Sequence, residues 1–80
     1  MDGKAFAYIV RCRDGTLYCG WTDDLGKRVK AHNEGVGAKY TRGRGPVNLV
    51  YFEEFENKSE ALKREIEIKK MTKEKKEKLI

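Results

Sequence analysis

Tyr8, Tyr18, Arg28 and His32 follow one another at spacings of 10, 10 and 4 residues, and Glu65 falls where a helix should present an apolar side chain. A phenol beside a cation can take up a proton, a guanidinium offers phosphate a planar fork, and an imidazole exchanges protons near neutral pH. A carboxylate can hold a hard divalent ion. Together these are the parts needed to hydrolyse a phosphodiester. Each also has an ordinary explanation. Tyrosine is a favoured strand residue, and an arginine or a half-buried histidine is common anywhere. Glu65 could simply pair with Lys69 one helical turn along. Five such groups converging on one cleft are harder to explain by packing.

The elements that must position them can be read from the pattern. Residues 5–12 (AFAYIVRC) are β-branched and aromatic and predict a strand, with residues 16–20 (TLYCG) as its hairpin partner. Two loops are open. A two-residue Asp14-Gly15 turn makes opposed residues sum to 29 and sends the two tyrosines to opposite faces. A three-residue Arg13-Asp14-Gly15 loop, with Gly15 left-handed, pairs Tyr8 with Gly20 and Val10 with Tyr18, so both rings share a face.

A helix follows, with Thr22 as the expected N-cap, Asp23 and Asp24 suited to the first-turn dipole and Gly35 as the stop. Leu25, Val29 and His32 repeat at helical spacing, and Arg28 and His32, four apart, share a face. Pro46 then opens a third strand (VNLVYFEEF). The helix between the second and third strands predicts that those two run parallel, with the first strand central and antiparallel to both.

Residues 57–71 predict a second helix, capped by Asn57 with Glu60 three positions on. Ala61, Leu62, Ile66 and Ile68 span one apolar arc that also contains Glu65 and Lys69. A carboxylate there must be paired, protonated or bound to metal, since an unpaired buried charge is costly. One carboxylate is no cage, but Mg²⁺ keeps several waters and takes phosphate oxygens as ligands. Thr72 is placed to cap a short last helix whose Leu79 and Ile80 could tuck back.

Between the first helix and the third strand lies Gly35–Gly45 (GVGAKYTRGRG), which lacks the Gly-Lys-Ser/Thr of a Walker loop. It is either an ordinary surface connection or a nucleic-acid-binding loop, in which Lys39, Arg42 and Arg44 grip backbone and Tyr40 stacks on a base.

Eighty residues make one domain, 1–80, that buries roughly 60% of its unfolded surface. The net charge of +5 and pI near 9.3 favour a polyanionic partner, nucleic acid before acidic membrane. Cys12 and Cys19 form no metal-type pair and are too few for a disulfide scaffold. The opening apolar run is too short for a signal peptide or membrane span. A cytoplasmic, reduced protein is expected.

With Phe6-Ala7-Tyr8 as a first motif, Tyr18-Cys19-Gly20 as a second, then Arg28, His32 and Glu65, nearly the whole chain resembles a GIY-YIG nuclease domain. It is most similar to the small stand-alone bacterial branch of that family, and more distantly to structure-specific junction nucleases and an excision-repair nuclease domain. Phe6 and Ala7 replace the first motif's glycine and isoleucine without touching its tyrosine. The position of His32 is tyrosine in several relatives. Larger members carry separate DNA-binding domains, and these 80 residues contain none.

The resemblance favours the three-residue loop and Gly20 as a structural motif residue. It implies an α+β domain with a three-stranded antiparallel sheet flanked by helices, in the order β-β-α-β-α-α. It further implies divalent-metal-dependent endonuclease action on structured or branched DNA, in repair or recombination. Glu65 would hold one Mg²⁺ or Mn²⁺, Tyr8 or Tyr18 would activate water, Arg28 would neutralise phosphoryl charge, and His32 would orient or relay. The alternatives are a non-catalytic nucleic-acid-binding module, for instance on structured RNA, or a subunit lending its domain to a protein partner. Only the nuclease needs a divalent ion at Glu65.

Overall fold

Strands β1 (Ala5–Arg11) and β2 (Leu17–Thr22) open the fold, followed by helix α1 (Leu25–Asn33), strand β3 (Asn48–Phe55) and helices α2 (Lys58–Lys69) and α3 (Lys73–Leu79). This computed structural model describes residues 4–80. The sheet order is β2-β1-β3, with β1 antiparallel to both neighbours. β2 and β3 therefore run parallel, as a helical crossover requires.

The hairpin takes the three-residue loop. Tyr8 faces Gly20 and Val10 faces Tyr18, and Cys12 and Thr16 close the loop through a 2.8 Å bond from the Cys12 N–H to the Thr16 carbonyl. Gly15 sits at φ +87°, a conformation an L side chain resists. Asp14 stiffens the turn by accepting from both the backbone N–H and the hydroxyl of Thr16.

That register sorts side chains onto two faces. On one, Ala7, Ile9 and Cys19 pack with Ile68 of α2, joined by Leu17, Met71 and Leu79. On the other, Tyr8, Val10, Cys12 and Val47 pack with Tyr18, Leu25, Val29 and Leu49 beneath α1. Complete burial of Ile9 and Ile68 contributes about 1.5–3 kcal/mol each. Cys12 and Cys19 are free, buried and on opposite faces, as the register requires.

Helix α1 begins two residues later than expected. Thr22 completes β2 and its hydroxyl accepts from the Asp24 N–H, while Asp24 is the N-cap, accepting from the Lys27 N–H at 3.0 Å. β2 pairing claims Thr22's backbone, so a short acceptor further along, Asp24, caps the helix. The C-terminus closes as a Schellman motif. Gly35, at φ +79°, donates to the His32 carbonyl and Val36 to that of Ala31. Asn33 then clamps Val47 by accepting from its N–H at 2.6 Å and donating to its carbonyl at 3.3 Å, which fixes where β3 starts.

Asn57 caps α2 by accepting from the Glu60 N–H, and Thr72 caps α3 by accepting from the Lys75 N–H. Ala61 and Ile68, seven apart, are the fully buried residues of α2. The buried arc is narrower than the sequence implies: Ile66, at its margin, is 52% exposed. Leu79 packs into the core whereas Ile80 remains exposed.

Candidate active site

Tyr8, Tyr18, Arg28 and His32 meet on the α1 face of the sheet. The Tyr8 hydroxyl lies 2.8 Å from His32 Nε2 and 3.3 Å from Arg28 Nε. The Tyr18 ring meets His32 edge-on at 5.4 Å between centroids, and Tyr8 does so at 5.9 Å. Strand β1 supplies Tyr8, β2 supplies Tyr18, and consecutive turns of α1 supply Arg28 and His32.

Two glycines permit this closeness. A Cβ on Gly20 would sit 2.6 Å from the Tyr8 hydroxyl, so the residue facing Tyr8 across the hairpin must lack one. A Cβ on Gly37 would sit 2.6 Å from His32 Nδ1 and 2.9 Å from its Cα. The loop glycine thus lets the chain pass directly behind the imidazole.

A further residue completes the set, one the motifs do not include. Thr41 is 1% exposed, and its hydroxyl lies 2.7 Å from His32 Nδ1 and 3.0 Å from the Ala38 carbonyl. The donor inventory then directs every proton in the chain of bonds. Arginine can only donate, so the phenolic proton of Tyr8 must go to His32 Nε2. Nε2 is therefore the bare nitrogen, and Nδ1–H donates to Thr41. The Thr41 hydroxyl passes its own proton to the Ala38 carbonyl. With this tautomer every donor in the chain of bonds has an acceptor. Threonine within a polar glycine-rich stretch carries no signal of this; only the turn of residues 38–41 brings it to the histidine.

The electrostatics follow. Burial pushes the Tyr8 phenol up to about 12, against the pull of Arg28. Burial, aided by Arg28, pushes the His32 pKa down, which keeps the ring a neutral acceptor. Hydrogen bonding to Tyr8, and more weakly the proximity of Tyr18, raises that of Arg28. Tyr8 is fully buried and Arg28 half-buried. Beside Arg28 opens a cavity of about 230 Å³ lined also by Trp21, Thr22 and Asp23. Arg28 both lines that opening and bonds the phenol.

The loop of residues 35–45 is a run of tight turns. Thr41, Arg42 and Arg44 each donate a backbone N–H to the residue three earlier. Tyr40 stacks on Tyr18 at 5.7 Å, and the Arg44 guanidinium lies over the Tyr40 ring at 4.5 Å from its centroid. Arg44 also binds the Tyr40 carbonyl and Asp14. Asp14 is held down to about 2 by the Thr16 bonds first and Arg44 next. Lys39 and Arg42 project into solvent. Tyr40 is 41% exposed, its ring against its neighbours Tyr18 and Arg44.

Glu65 comes from α2, which packs on the face of the sheet opposite α1. Its carbonyl accepts from Cys19 Sγ at 3.8 Å, which places it against the α2 face of edge strand β2, whose other face carries Tyr18. Its carboxylate is 3.3 Å from Lys69 Nζ, the local pair anticipated from the sequence. Burial, then the charge of Glu65, push Cys19 up to about 11, so this thiol is no nucleophile. Among the described residues no three His, Cys, Asp or Glu side chains cluster as metal ligands. The donor chemistry fits a hard cation held by the Glu65 carboxylate, with water and substrate phosphate completing its shell, provided Lys69 swings aside.

Comparison with known proteins identifies the family of the chain. Residues 4–78 match the GIY-YIG catalytic domain. The chain is 64% identical over 75 residues to a UPF0213 protein of Clostridium perfringens, covering 94% of this chain and 81% of that one. With a UPF0213 protein of Staphylococcus aureus it shares 60% over 75 residues, covering 94% and 92%. The solution NMR structure of a UPF0213 protein from Bacillus halodurans superposes with a TM-score of 0.61 at 47% identity, over 95% of this chain and 81% of that one. That of an E. faecalis protein gives 0.63 at 40%, over 98% and 85%. The chain belongs to the GIY-YIG family, within its UPF0213 group.

Proposed function

We propose that this protein is a divalent-metal-dependent endonuclease that hydrolyses DNA phosphodiester bonds, selective for DNA structure and serving repair or recombination. The observation that carries the reading is the directed chain from Arg28 through Tyr8 and His32 to Thr41.

The chain of bonds also favours Tyr8 over Tyr18 as the group that activates water. Burial holds the Tyr8 phenol up at about 12, so it rests protonated near neutral pH. It acts as a relay. As water attacks phosphorus and the bond from phosphorus to the leaving oxygen breaks, the water's proton passes to the Tyr8 oxygen, the phenolic proton passes to His32 Nε2, and the leaving oxygen takes a proton from solvent water. The imidazolium that forms keeps its Nδ1–H on Thr41. Arg28 turns towards the cavity to take the phosphate, uncovering Tyr8 and neutralising charge that develops on the phosphoryl oxygens. Glu65 would hold a divalent ion, which when bound would supply Lewis acidity to the phosphate and its leaving oxygen.

The test is incubation of the purified protein with branched, flapped, nicked, single-stranded and plain duplex DNAs in Mg²⁺ or Mn²⁺. Cleavage of any of them, abolished by chelator and by Tyr8→Phe, supports the reading. The 3.3 Å Glu65–Lys69 pair favours one alternative, a nucleic-acid-binding module in which Glu65 is purely structural. That protein would bind DNA or RNA and cut none of the panel with either metal.

A further inference from the structure

The positive charge of this chain is not spread evenly. Residues 69–80 hold six lysines against two glutamates, four of the five net charges, while the 68 residues before them are nearly neutral. The fold then brings this segment to a particular place. Arg11, the last residue of β1, makes a two-pronged pair with Glu77 at 2.9 and 2.7 Å, and Leu79 and Met71 pack beside Leu17, the first residue of β2. Helix α3 is thereby fastened to the hairpin end of the sheet, on its α2 face.

The basic loop is fastened to the same end from the other side. The Arg13 N–H donates to the Arg44 carbonyl at 2.9 Å, and Arg44 pairs with Asp14 at 2.7 Å. Both anchors spend an acid: Arg11 neutralises Glu77, and Arg44 neutralises Asp14. Left around the hairpin end are exposed Arg13, Lys39 and Arg42 from one side and exposed Lys73, Lys75 and Lys78 from the other. Glu74 is the acid of α3 that Arg11 does not neutralise.

We propose that these two segments form one phosphate-binding track that wraps the hairpin end, carrying a nucleic-acid backbone from the Tyr18–Tyr40 side of the sheet round to helix α3. The inference rests on the nuclease reading for its partner but concerns binding alone. Nucleic acid is favoured over an anionic bilayer because the lysines of α3 surround no apolar stripe: Leu79 is turned into the core.

The experiment is fluorescence anisotropy of labelled DNA without divalent ions over a salt series. The proteins are wild type, Lys73→Glu/Lys75→Glu/Lys78→Glu, Lys39→Ala/Arg42→Ala, and a control of equal charge change, Lys30→Glu/Lys58→Glu/Lys63→Glu. All these side chains are exposed, and circular dichroism checks each fold. The α3 variant is expected to bind at least tenfold more weakly near 0.1 M salt. Its log–log salt slope should shrink by about 2–3, roughly one for each phosphate that is no longer neutralised. Combined with the loop changes, the loss of affinity should deepen.

Wild-type affinity and slope in the α3 variant overturn the track while leaving the nuclease reading intact. An equal weakening in the control also overturns it, because net charge alone would then suffice. A wild type that cuts no DNA but shows the expected α3 effect would separate the two in the other direction. Binding of wild type to phosphatidylserine vesicles but to no DNA would overturn both.

Discussion

At the scale of single residues, the structure distinguishes two tyrosines that the sequence leaves equivalent. Tyr8 bonds both His32 and Arg28, while Tyr18 meets His32 and Tyr40 through its ring and acts on Arg28 more weakly than Tyr8 does. Tyr8→Phe should therefore lower single-turnover cleavage about 10²–10⁴-fold, the usual range for losing a proton-transfer group. Tyr18→Phe, which keeps the ring, should cost less than about tenfold. Equal losses would show that the relay has been assigned to the wrong ring. Thr41 acts through His32 rather than on substrate. Thr41→Val leaves Nδ1–H without its acceptor, at a cost of about 1–3 kcal/mol in stability. It should also let the other imidazole tautomer appear, which ¹⁵N NMR of His32 reads directly without any need for activity. Thr41→Ser should restore a single tautomer.

Elements hold these residues to tolerances that single backbone atoms decide. The hairpin register puts Gly20 under the Tyr8 hydroxyl, and the Schellman turn after α1 sends Gly37 behind His32. Gly20→Ala must push Tyr8 away from His32, because the new methyl would sit 2.6 Å from the phenolic oxygen. Gly37→Ala meets main chain as well as ring and has less room to relax. Each should destabilise by about 1–3 kcal/mol in denaturant titration. Each should also depress cleavage more than that stability loss explains at temperatures where the variant stays folded. An alanine at Gly20 that left cleavage at wild-type rate would show that the 2.8 Å bond between Tyr8 and His32 is dispensable. The loop of residues 35–45 is part of the same machinery: its turns place Thr41, and its Tyr40 ring backs Tyr18.

For the molecule as a whole, pH and metal give the discriminating responses. His32 has its pKa lowered by folding, from about 6.5 in the unfolded chain. Below about pH 6.5 the unfolded chain takes up a proton that the folded chain resists. The contribution to stability is thus intact above that pH and is lost as pH falls towards the lowered folded value. Thermal unfolding between pH 5 and 7 should show a steeper acid loss in wild type than in His32→Gln, and parallel curves would remove His32 as the cause. Cleavage should hold until lower pH and decline only as the folded imidazole itself protonates, below the unfolded value, because an imidazolium cannot accept the Tyr8 proton. Glu65→Gln keeps the shape of α2 and removes the anionic oxygen a hard cation needs. It should erase divalent-ion shifts in NMR spectra and reduce cleavage by orders of magnitude while DNA affinity persists. Among the described residues no helix is long and apolar enough to cross a membrane.

Much of the fold is legible in the sequence. Alternation and a Gly-containing loop mark the hairpin, Asn57 and Thr72 mark helix starts, and Gly35 marks a helix end, because turns and caps are local chemistry that each segment carries with it. The helical crossover is enough to order the strands. The register of the hairpin is open by one residue, since either loop satisfies local rules, and that one residue decides whether the tyrosines share a face. Thr22 and Asp24 compete for one cap, and strand pairing settles it. Thr41 is invisible because its partner lies nine residues away across a turn that no periodicity announces. The exposure of Ile66 and the pairing of Arg11 with Glu77, 66 residues apart, depend on how helices dock. Local propensities determine which elements form. Which protons, charges and rings then meet depends on contacts between distant segments, and only the packed chain creates those.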